Sequence, residues 1–130
     1  MEGSQMRAFR VVMEVTTDDY EGLIELFREA SAAIKQDIPG AVAWEVFGDE
    51  TTGRALIIEE FVSEDAANAY EQLMESKGFL ERAYGLFTSA RVFILSAVDQ
   101  PIWSEIAARP TSQCLLPVSG FNRSAKDIPS

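Results

Sequence analysis

The chain has 130 residues, 47% of them apolar, which suits one domain with a real core and argues against disorder. With 21 acidic against 11 basic residues and a formal charge of −10, it repels phosphate backbones and anionic membrane surfaces, so nucleic acid and membrane are not expected partners. It has no histidine and one cysteine, which excludes imidazole bases, histidine-ligated metals, Ser-His or Cys-His nucleophiles and an internal disulfide.

Residues 1–6 read as a flexible N-terminus, residues 7–100 as the folded domain and residues 101–130 as a C-terminal extension. The segment Arg7 to Thr16 is expected to be the first strand, with Phe9, Val11, Met13 and Val15 on one face and Arg10 and Glu14 on the other. Arg10 and Glu14 also interrupt this apolar run, so nothing here resembles a signal peptide or membrane span, and a cytoplasmic setting is expected.

Thr17 or Asp18 offers a cap for a helix over about residues 18–36, whose stripe is Tyr20, Leu23, Ile24, Phe27, Ala30, Ser31 and Ile34. Pro39 and Gly40 end it. A second strand, Ala41 to Gly48, carries Trp44. The polar stretch Asp49 to Gly53 turns it back into a third strand, Arg54 to Val62.

Ser63 caps a second helix with the stripe Ala66, Ala67, Tyr70, Leu73 and Met74, and Gly78 breaks it before a helical piece over Phe79 to Phe87. A fourth strand is expected over Ser89 to Val98. The order β-α-β-β-α-β predicts a ferredoxin-like α+β fold: a four-stranded antiparallel sheet with its two main helices on one face. The other face would leave an apolar patch well above roughly a few hundred Å² in a monomer, so a homodimer through that face is expected.

Beyond Pro101, the segment Ile102 to Arg109 suits a short helix or an extra strand. The rest reads as a tail with scattered apolar anchors at Leu115, Leu116, Val118 and Phe121, packed on a partner subunit or mobile. Dinucleotide, P-loop and EF-hand spacings do not occur, so no cofactor and no metal are expected.

Glu59, Phe61, Ser63, Glu64, Ala66 and Ala67, followed by Ser76 and Phe79, resemble the start of the second helix in the antibiotic biosynthesis monooxygenase family. The resemblance spans roughly residues 7–98 and implies a dimeric α+β barrel. It also implies a pocket between sheet and helices for a flat aromatic or polyketide-like molecule, with oxygen chemistry in some members. Tyr70 stands where that helix often carries histidine, and Gly78 replaces a second histidine.

The candidate catalytic residues are therefore Tyr70 and the adjacent pair Glu59 and Glu60. Strand alternation turns one of these two carboxylates inward, as a base or as the ion-pair partner of Arg91 or Arg54, the pair being the plainer reading. Trp44 offers a flat face and an N–H to a planar ligand. Arg82 and Tyr84 would line a pocket mouth, and Phe27, Phe87 and Phe93 would supply apolar walls.

Three readings remain open. One is a cofactor-independent monooxygenase acting on a quinol- or anthrone-like aromatic. The second is a non-oxidative binder, cyclase or isomerase, which the missing histidines favour. The third is a structural dimer.

Overall fold

The structure, a computed structural model, describes residues 9–95 and 115–123. Its elements are β1 (Phe9–Thr17), α1 (Tyr20–Asp37), β2 (Ala41–Asp49), β3 (Arg54–Phe61), α2 (Glu64–Ser76), α3 (Phe79–Leu86), β4 (Phe87–Leu95) and β5 (Leu116–Asn122). The strands form one sheet in the order β4-β1-β3-β2-β5, with every neighbouring pair antiparallel. This is a ferredoxin-like α+β architecture with five strands rather than the four expected.

Register explains which residues meet. Val15 faces Ala55, Met13 faces Ile57 and Val11 faces Glu59 across β1 and β3, while Trp44 of β2 also faces Glu59. Paired residues of neighbouring strands share a face. Ile94, Val11, Glu59, Trp44 and Phe121 therefore form one row across all five strands, on the face that the helices cover.

Helix α1 buries Leu23, Ile24, Leu26, Phe27, Ala30, Ser31 and Ile34 against that face. Burying each of its large apolar side chains contributes about 1.5–3 kcal/mol. Its cap is Asp19, one position beyond the expected Thr17 or Asp18, and the Asp19 carboxylate accepts from the Gly22 N–H at 3.0 Å. Thr17 is committed elsewhere: its hydroxyl donates to the Leu86 carbonyl at 2.6 Å and accepts from the Asp19 N–H at 3.0 Å.

The opposite face carries Val12, Ile58 and Phe93 in one row and Leu56 and Phe47 in the next, half-buried or exposed. Charges on this face are paired across strands, Arg54 with Glu14 and Arg10 with Glu60. It is an apolar surface with balanced charge.

The fifth strand corrects the reading of the extension as a partner-bound or mobile tail. Pro117 lacks an N–H, which an edge strand tolerates, and Gly120 takes φ 104°, where a Cβ would lie 2.0 Å from the Trp44 carbonyl oxygen. Phe121 packs against the core opposite Trp44.

Arg123 then ties the strand to the end of α1. Its guanidinium donates to the Pro39 carbonyl at 3.2 Å and to the Lys35 carbonyl, and lies 5.0 Å from the Phe121 ring centre. Ending the chain at residue 110 should therefore lower the melting temperature by at least about 5 °C, because a whole strand leaves the sheet. Calorimetry showing an unchanged transition would contradict this pairing. The expected short element at 102–109 lies outside the described residues.

Candidate functional site

Ser63 opens α2 by accepting from the Ala66 N–H at 3.2 Å, with Glu64 and Asp65 in the first turn. That phase buries Ala67, Tyr70 and Met74 against the sheet. The chain passes from α2 to α3 through Gly78 at φ 77°, a left-handed conformation that suits glycine and strains any residue with a Cβ. A histidine at this position would carry that strain.

Between α2, α3 and the sheet lies a cleft of about 700 Å³. Its apolar walls include Val11 and Met13 of β1, Val92 and Ile94 of β4, and Leu80 and Tyr84 of α3. Three polar side chains, Glu59, Tyr70 and Trp44, also line it and are almost wholly buried.

The Tyr70 hydroxyl donates to Glu59 Oε2 at 3.1 Å, and the Tyr70 ring packs on Phe61 with centres 5.1 Å apart. Glu59 is 4% exposed and among the described residues has no cation against it; Arg54 serves Glu14 on the other face, and Arg91 lies over Phe93 at 5.7 Å. The expected ion pair to Arg54 or Arg91 is thus replaced by a hydrogen bond from tyrosine. Burial pushes the Glu59 carboxyl up to about 7; the Tyr70 hydrogen bond pulls the other way, and the charge of Glu71 adds to the rise.

Burial likewise pushes the Tyr70 hydroxyl well up, and the neighbouring Glu59 charge pushes it further. The Trp44 indole N–H lies near enough to the Tyr70 oxygen to favour its ionised form slightly, yet falls short of hydrogen-bond geometry. Trp44 is fully buried, edge-on to Phe27 at 5.6 Å, and its Nε1 has no hydrogen-bond partner among the described residues. An unpaired buried donor is costly, so it marks a place for an acceptor.

Of the residues singled out from sequence, Trp44, Tyr70, Glu59, Phe27, Tyr84 and Phe87 meet at this cleft. Glu60, Arg82 and Phe93 do not line it. Glu60 points to the opposite sheet face and pairs with Arg10 at 3.6 Å. Arg82 is exposed and grips Glu29 of α1 through two contacts of 3.1 and 3.2 Å. Phe93 shares the opposite face with Val12.

Sequence reasoning did not single out Met74 or the two rim acids Glu71 and Glu75 as cleft residues. Met74 and Glu71 follow Tyr70 by four and one positions, so the helical phase of Tyr70 was the available signal for Met74. Among the described residues no group of three metal-ligating side chains converges, and no helix is long and apolar enough to cross a membrane.

This sheet and its element order are shared with solved structures of antibiotic biosynthesis monooxygenase fold. They include a Caulobacter crescentus protein assigned to those monooxygenases (18% identity, TM-score 0.63, covering 71% of this chain and 91% of that one). A Nitrosomonas europaea protein with the same assignment is similar at 12% identity and TM-score 0.62, over 70% of this chain and 90% of its own. Rv0793 from Mycobacterium tuberculosis is similar at 14% identity and TM-score 0.63, over 72% and 98%. Neither a scan against protein-family models nor a search of curated proteins gives a match.

Proposed function

We propose that the chain is a cofactor-independent monooxygenase acting on a hydroxyaromatic small molecule of quinol or anthrone type. The observation that carries this reading is the buried Glu59–Tyr70 pair beside the unpaired Trp44 N–H, inside an apolar cleft. The names of the Caulobacter and Nitrosomonas proteins support it at the level of reaction class.

In this reading Glu59, ionised in a good fraction of molecules near neutral pH, removes the acidic proton of the bound substrate. The Trp44 N–H holds the substrate oxygen as its charge develops, while Tyr70 keeps the Glu59 carboxylate in place through its hydrogen bond. The substrate anion reduces dioxygen, and the resulting hydroperoxide at the ring carbon loses water. In an anthrone the ring CH2 carbon loses both hydrogens and gains one oxygen atom, and in a quinol one hydrogen comes from the ring carbon and one from a hydroxyl; in each case the second oxygen atom leaves as water with those two hydrogens.

The test is oxygen uptake with anthrone or 1,4-naphthoquinol, corrected for the uncatalysed rate. Tyr70→Phe should lower turnover roughly tenfold or more while costing about 1 kcal/mol of stability, because Glu59 loses the hydrogen bond that orients it and favours its ionised form. No uptake above background by the wild type, with naphthol binding retained, would leave the non-oxidative binder, isomerase or cyclase instead.

The same reading includes a homodimer through the uncovered sheet face, where Val12, Ile58, Leu56 and Phe47 would otherwise stay wet. Light scattering at micromolar concentration should give twice the 14.4 kDa chain mass; the monomer mass would contradict it.

A further inference from the structure

The cleft's charge is one-sided. Among the described residues, its charged lining residues are Glu59 inside and Glu71 and Glu75 at the rim, with no lysine or arginine. Arg82 of α3, next in sequence to the lining residue Ala83, is held by Glu29 of α1. Glu71 and Glu75 lie one helical turn apart on α2, so both carboxylates stand on the same edge of the opening. The whole chain, these three glutamates included, carries a formal charge of −10, the same sign as this local field.

The second observation lies at the bottom of the cleft. Trp44 Nε1 is a fully buried donor with no partner among the described residues, and Glu59 receives one hydrogen bond there, from Tyr70. A phenolic hydroxyl answers both needs with a single group, since it accepts from the indole N–H and donates to the carboxylate. A carboxylate or phosphate placed there would satisfy Trp44 but would face Glu59 directly, with no cation to offset it.

We infer that this cleft takes hydroxyaromatic molecules that are uncharged or carry a protonated amine, with the phenol end at Trp44 and Glu59 and any amine at the Glu71 and Glu75 rim, and that it rejects carboxylated and phosphorylated ones. This rests on the hydroxyaromatic reading of the site and deepens it. It separates free aromatic metabolites from those carried on phosphate-bearing coenzymes or carrier proteins, whose anionic arm would have to pass the acidic rim.

The experiment uses three naphthols of matched shape: 6-(aminomethyl)-2-naphthol, 6-(hydroxymethyl)-2-naphthol and 6-hydroxy-2-naphthoic acid. Their binding to the full chain is followed by naphthol fluorescence at pH 7, under argon. The amine should bind most tightly and the acid roughly tenfold or more weaker than the alcohol at low salt, with the gap narrowing as salt is added. In the Glu71→Gln/Glu75→Gln double variant the advantage of the amine should shrink several-fold while the alcohol binds as before.

Equal binding of acid and alcohol would overturn the inference. So would an amine advantage that survives the double substitution, or no binding of any of the three. Because dioxygen is absent, failure of the oxygenase reading shows separately: the naphthols then bind in the stated order, yet no oxygen is consumed with a quinol.

Discussion

Replacing Glu59 by glutamine should lower turnover of an anthrone or quinol by about two to four orders of magnitude, the usual worth of a positioned proton acceptor. Glutamine keeps the size of the side chain and can accept the Tyr70 hydrogen bond through its amide oxygen, so the cleft should keep its shape. What it loses is the ability to take a proton. Among the described residues no other ionisable group lies at the bottom of the cleft except Tyr70, whose hydroxyl burial holds well above its usual range. Naphthol binding should change far less than turnover, which separates a lost base from a lost pocket.

The same substitution should raise stability in neutral and alkaline solution, and this is the second large effect. Glu59 is buried with no cation against it among the described residues, and its carboxyl is raised from the ordinary 4.5 to about 7. Between those two values the folded protein keeps a proton that the unfolded chain has already released. Stability from this group is therefore full below the lower value and falls as pH rises through the window, by about 3 kcal/mol in total.

The Arg82-paired Glu29 is shifted the opposite way, so the contribution of Glu59 is isolated by difference. The wild type should be compared with Glu59→Gln by denaturant unfolding at pH 5 and pH 8. The variant should gain about 2.5 kcal/mol relative to wild type on going from the acid to the alkaline condition, the rest of the effect lying below pH 5. A difference that stays constant with pH would mean that Glu59 titrates normally. A stabilising substitution that removes activity is the pattern expected of a strained functional group rather than a packing residue.

Much of this arrangement was legible in the sequence, and the misses have specific causes. The stripes of α1 and α2 were readable because 3.6-residue periodicity is local, and Tyr70 fell on the buried side as that periodicity requires. Alternation required Glu59 and Glu60 to point opposite ways but could not say which pointed in, because the flanking residues are apolar in both phases. The pairing of Glu59 with both Trp44 and Val11 decides it, and that register is a long-range fact.

Phe93 was misplaced for the same reason. The run Val92, Phe93, Ile94 and Leu95 is apolar on both faces, and register turns Val92 and Ile94 toward the helices instead. Arg82 looked free because its partner, Glu29, lies on another helix. The fifth strand was hidden by Pro117 and Gly120, which break strand patterns locally. At a sheet edge, against the Trp44 carbonyl, the proline is tolerated and the glycine is required.

The most direct measurement is the titration of the Glu59 side chain itself, by carbon NMR on protein labelled at the glutamate carboxyl carbons, with Glu59→Gln used to assign the resonance. The account expects one glutamate with a midpoint near 7, absent from the variant, moving further up in Tyr70→Phe as the hydrogen bond that favours the ionised form is lost. A Glu59 midpoint in the ordinary range, near 4.5, would mean that water or a cation reaches the carboxylate, and would contradict its role as the cleft's base.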